Sequence, residues 1–92
     1  MTAPANVLDR AWEVSPGVSI RPESFGALLY HFGTRRLSFL KDRRLLDVVR
    51  RLPDCPTARQ ACLAAGLEAH ELPTYALALA QLADTDMLQE RL

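Results

Sequence analysis

The sequence predicts an α+β fold: a small winged-helix-like domain in which a three-stranded antiparallel β-sheet is followed by three α-helices. Three observations carry this. Up to Lys41 apolar residues alternate with polar ones and are punctuated by turn residues. After Lys41 they recur every three or four positions. Pro53 and Gly66 then divide that second half into short helices. Ninety-two residues make one domain, read as a flexible lead-in over residues 1–10 and a single recognition domain over 11–92.

Trp12 and Val14 begin a first extended segment, broken at Pro16-Gly17. Val18 and Ile20 alternate with Ser19 and Arg21 as a strand, which Pro22 confines to an edge or a bend. The next strand runs from about Gly26 to Phe32 and returns from about Arg35 to Lys41. Gly33-Thr34 suits a two-residue turn with Gly33 at positive φ, a three- or four-residue loop being the alternative. This turn sets Tyr30 opposite Leu37 and Leu28 opposite Phe39. Leu28, Tyr30, Leu37 and Phe39 then share one coherently apolar face, the expected core face. The mixed face, with Ala27, Leu29, His31, Arg36, Ser38 and Leu40, is expected to be only partly covered.

Asp42 reads as the N-cap of a first helix running to about Leu52, with Leu45, Val49 and Leu52 inward and Pro53 ending it. Thr57 caps a second, alanine-rich helix over Ala58–Ala65, and Gly66 suits its C′ position. The third begins between Glu68 and Pro73 and ends near Ala83. Its core face is Leu72, Tyr75, Ala76, Leu79, Leu82 and Ala83. Asp84-Thr85-Asp86 interrupts the pattern, and Met87-Leu88 returns apolar side chains to the core.

Formal net charge is zero, which argues against general affinity for nucleic acid or anionic membrane. The zero hides a polarity: residues 35–51 hold seven basic and two acidic side chains, and the remainder four basic and nine acidic. The first ten residues lack the basic start and apolar stretch of a secretory signal, so a cytoplasmic location is expected. Cys55 and Cys62 make no disulfide framework, and Cys62 reads as a small buried apolar residue. His31 and His70 lie at no metal-ligand spacing, no glycine-rich phosphate loop follows a strand, and no catalytic constellation stands out. No enzymatic activity and no cofactor are expected.

The last two helices raise a second reading, a winged-helix DNA-binding regulator. A recognition helix should carry Arg, Lys, Asn or Gln toward base edges. The third helix instead offers Tyr75 to Gln81 with no Arg or Lys between Thr74 and Ala83. The basic residues sit on the last strand and the first helix. An exposed strand edge suits a different partner, an extended peptide, because its backbone N–H and C=O groups lack partners on one side.

The text RPESFGALLYHFGTRRLSFL, followed by the helical LLDVVRRL and the alanine-rich helix-turn-helix, resembles the mycofactocin-type peptide chaperones among the PqqD-like precursor-peptide recognition domains. The likeness runs from about Trp12 to Leu92. One departure is Asp84-Thr85-Asp86, where such domains often have a glycine. The resemblance implies a non-enzymatic chaperone that binds the leader of a ribosomally made precursor peptide. It implies presentation of that peptide to a radical S-adenosylmethionine maturase on the route to a redox cofactor. It further implies a leader added as a strand along the last sheet strand, with the third helix as the other wall. Carried onto this chain, the peptide-binding residues are Arg35, Arg36, Leu37, Ser38, Phe39, Leu40 and Lys41, with Leu77 and Ala80 across the groove. Arg35, Arg36 and Lys41 would steer an acidic leader. A third reading has the basic first helix dock the maturase without any contact to the peptide.

Overall fold

In a computed structural model the described residues are 7–91. Strands β1 (Trp12–Val14), β2 (Val18–Glu23), β3 (Gly26–His31) and β4 (Arg36–Leu40) precede helices α1 (Arg43–Arg51), α2 (Ala58–Ala64) and α3 (Leu72–Asp84), and a strand β5 (Leu88–Glu90) follows. The expected α+β order holds, with β2-β3-β4 as an antiparallel meander and a second, two-stranded sheet made by β1 and β5. Of the expected lead-in, residues 1–6 lie outside the described residues. Val7 and Leu8 are buried, and the Trp12 indole N–H donates to the Val7 carbonyl at 2.8 Å.

The expected register of the hairpin is present: Leu28 pairs with Phe39 and Tyr30 with Leu37. The expected core face is not, and this is a correction. Ala27, Leu29 and Leu40 are the residues driven inward, at 0, 0 and 1% exposure, whereas Leu37 and Phe39 stand 54 and 59% exposed. The reason is steric. Helix α1 packs on β3, and Ala27 offers no bulk beyond its Cβ, so the helix comes close. Tyr30 and Phe39 would hold it off, since interiors tolerate no gap of that size.

The tip of the hairpin also differs from the expected two-residue turn. Residues 32–35 form a four-residue loop closed by the Arg35 N–H donating to the His31 carbonyl at 2.7 Å. The imidazole Nδ1 of His31 accepts from the N–H groups of Gly33 and Thr34, at 3.0 and 3.3 Å, and so winds the loop. The left-handed position falls on Arg35, φ 61°, rather than on Gly33. Where β3 begins, Gly26 has φ 150°, and a Cβ there would lie 1.9 Å from the Leu40 carbonyl oxygen, so only glycine allows this closure of the sheet.

The helix ends follow local chemistry. Asp42 accepts from the Arg44 N–H at 2.8 Å and Thr57 from the Gln60 N–H at 3.3 Å, as N-caps. Helix α2 closes on Gly66, φ 89°, with the Leu67 N–H donating to the Cys62 carbonyl and the Gly66 N–H to that of Leu63. Helix α3 closes in the same manner without a glycine: Asp86 takes φ 63°, and the Met87 N–H donates to the Leu82 carbonyl. Met87 and Leu88 re-enter the core, as expected. Cys62 is buried there too, and burial pushes its thiol up to about 11, in keeping with an apolar role.

Candidate functional site

The site begins with a backbone fact. The Phe32 N–H donates to the Gly17 carbonyl at 2.9 Å, which makes Gly17 and Phe32 a hydrogen-bonded pair. Bonded and non-bonded pairs alternate along an antiparallel ladder. Leu28 and Tyr30 therefore turn their peptide groups toward β2, and Ala27, Leu29 and His31 turn theirs toward β4. Through the register, Arg36, Ser38 and Leu40 receive those bonds. The N–H and C=O groups of Leu37 and Phe39 point the other way, off the sheet. β4 is an edge strand with no further strand beside it among the described residues.

A cleft runs between that edge and α3. One hollow of about 400 Å³ is bounded by Ser38, Phe39 and Leu40 on the strand, Leu45 beneath, and Ala78, Gln81, Leu82 and Thr85 on the helix. A second, of about 460 Å³, shares Leu45 and Ala78 with it and continues past Lys41 to Arg44, His70, Glu71, Thr74 and Tyr75. Together they form one trough, apolar along the strand and polar at its far end.

The polar end is held by a cluster. Arg44 pairs through both terminal nitrogens with Glu71, at 2.7 and 3.3 Å, and its guanidinium stacks 5.8 Å above the Tyr75 ring. The Arg44 hydrogen bond and the Glu68 N–H hold the Glu71 carboxyl below its ordinary range, and the pair raises Arg44 in turn. Tyr75 donates its hydroxyl to Asp42. Burial first, and then that carboxylate, push the phenol up to about 12, so it stays a donor at neutral pH.

The residues read from sequence are distributed unevenly about this trough. Ser38, Phe39, Leu40 and Lys41 line it. The Leu37 side chain lies on the opposite, outer face of the sheet, in a hollow with Leu28, Tyr30 and Phe32. Arg35 and Arg36 are exposed at the hairpin tip. Leu77 lines a separate hollow with Leu8, Arg59 and Leu72, and Ala80 is half-buried against the core. The helix stripe that faces the strand is Thr74, Ala78, Gln81 and Thr85, which the sequence reading missed. Its signal was available: small and polar residues at spacings of four, three and four, directly beside the core stripe. No helix among the described residues is long and apolar enough to cross a membrane, and no group of acidic, His and Cys side chains there is placed to hold a metal ion.

Comparison with known proteins adds a family. Residues 11–89 match the peptide chaperone MftB family. The chain is 56% identical over 80 residues to a protein named peptide chaperone MftB from Mycobacterium ulcerans (strain Agy99), covering 87% of this chain and 73% of that one. It is 53% identical over 83 residues to the protein of that name from Mycobacterium tuberculosis (strain ATCC 25618 / H37Rv), covering 90 and 76%. With that from Mycolicibacterium smegmatis (strain ATCC 700084 / mc(2)155), identity is 50% over 80 residues, covering 87 and 78%. No solved structure matches the chain.

Proposed function

The chain belongs to the peptide chaperone MftB family, and we propose that it binds the leader of a ribosomally made precursor peptide by strand addition to β4. One observation carries this reading: the edge groups of Leu37 and Phe39 open onto a trough whose far wall is α3. An extended peptide pairing there gains backbone hydrogen bonds from the strand and side-chain selection from the trough. Ser38, Phe39, Leu40 and Lys41 are its strand-side contacts. Thr74, Ala78 and Gln81 are its helix-side contacts, and Leu77 and Ala80 stand away from it. Arg35, Arg36 and Lys41 make no ion pair among the described residues and supply the positive field for an acidic leader.

In this reading the protein performs no chemistry. It holds the peptide for a radical S-adenosylmethionine maturase in the biosynthesis of the redox cofactor mycofactocin, as the resemblance implies. Titration calorimetry with the precursor peptide tests the binding step. Saturable heat at a one-to-one ratio is expected. A folded sample that gives no heat with the intact peptide would overturn the reading.

A further inference from the structure

Leu28, Tyr30, Phe32, Leu37, Phe39 and Phe25 gather on the face of the sheet that turns away from the helices. Four of them are among the exposed large apolar residues of the molecule: Phe25, Phe32, Leu37 and Phe39, at 46, 66, 54 and 59%. They also touch one another. Tyr30 and Phe32 meet edge to face at 4.9 Å, and Phe25 lies 6.3 Å from Phe39. A lone exposed Phe needs no explanation, but a contiguous apolar and aromatic face on a small protein marks a place where something docks.

We propose that this outer face is the docking surface for the enzyme that modifies the bound peptide, a proposal that rests on the strand-addition reading above. Two features point to that occupant. The first is continuity. Any strand added to β4 lays alternate side chains on this same face, beside Leu37 and Phe39. A protein seated there touches the peptide and its carrier at once. The second is charge. Arg35 and Lys41 flank the two ends of β4 and make no ion pair among the described residues, whereas Arg21 on this face is paired with Glu23, so the partner that fits offers apolar side chains with carboxylates toward the ends of the strand. A second copy of this chain would bring the same unpaired cations, Arg35 and Lys41, to the contact instead of carboxylates. Helix α1 is the poorer docking surface despite its arginines, because it exposes no large apolar side chain and two of its four arginines, Arg44 and Arg51, are paired with Glu71 and Asp47.

The test separates the two binding events. The double variant Tyr30→Ser/Phe32→Ser alters the face while leaving every residue of β4 and of the trough lining in place. The milder Phe32→Ser, at the most exposed of these positions, serves if the double variant loses its fold by circular dichroism. Fluorescence polarisation with labelled precursor peptide is expected to change by less than about twofold, while affinity for the purified maturase falls at least about tenfold, the scale of losing one interface anchor. Unchanged maturase affinity overturns the proposal, as does a variant that loses peptide and enzyme binding in parallel. So does sedimentation showing a dimer that the variant abolishes while the enzyme still binds, since the occupant is then a second copy. If the unaltered protein fails to bind peptide yet binds the maturase through this face, strand addition fails and the docking surface stands.

Discussion

The Tyr75 hydroxyl donates to Asp42, the residue that caps α1, so the first turn of α3 is tied to the start of the helix that follows β4. This bond fixes the spacing of the two walls at the polar end of the trough. Removing it with Tyr75→Phe is expected to lower stability by about 1.5–3 kcal/mol, the usual net value of a bond to a charged group. In a domain of this size each kcal/mol is a fall of about 4–8 °C in Tm. Asp42→Ala removes the cap as well and is expected to cost about 1 kcal/mol more. Thermal unfolding followed by circular dichroism checks both.

Glu71 provides a pH dependence. Its carboxyl is held below the ordinary value of 4.5 by Arg44 and by the Glu68 N–H. A depressed acid stabilises the fold in its ionised form. Its contribution is therefore complete above about pH 4.5 and is lost as pH falls through the lower, folded value. Chemical denaturation between pH 6 and 3 is expected to show declining stability, and Glu71→Gln to remove part of that decline.

The ladder assigns opposite outcomes to prolines at adjacent positions on β4. Phe39→Pro deletes an N–H that points off the sheet, so the protein is expected to remain folded while peptide affinity falls at least about tenfold. Ser38→Pro deletes an N–H that bonds to β3 and is expected to cost about 3 kcal/mol of stability. Urea titration beside peptide titration distinguishes them. A Phe39→Pro protein that is folded and binds normally would remove β4 as the pairing edge.

Asp86 occupies a left-handed position where glycine carries no steric penalty. Asp86→Gly is expected to stabilise the protein by about 1 kcal/mol, read as a higher Tm, with peptide binding unchanged. The Ser15 hydroxyl donates to the Asp86 carbonyl at 2.7 Å, a backbone contact that glycine keeps.

The pairing of β3 with β4 was legible in the sequence, and so were the caps Asp42, Thr57 and Gly66, because each depends on chemistry within a few residues. The inward face was not. Alternation fixes which residues go together but not which set is buried. Here Ala27, too small to signal a core position, decided it by admitting α1. His31 as the organiser of the loop was likewise hidden, since its role depends on a bond to Gly33 and Thr34 that a turn rule does not anticipate. The β1–β5 pair joins segments nearly eighty residues apart, and three-residue strands leave little periodicity to read. In the trough, the strand side followed from the family likeness. The helix side was misplaced by one stripe, because Leu77 drew notice as an unexplained apolar residue while Ala78 and Gln81 drew none.

The sheet is a single layer, and that thinness has a use. Ser38 and Leu40 look inward, Leu37 and Phe39 outward, with only the backbone between them. A guest strand inherits the same division. One pairing event is thereby legible from both sides of the wall: sorted by the helix on the inside, and on display to any visitor on the outside.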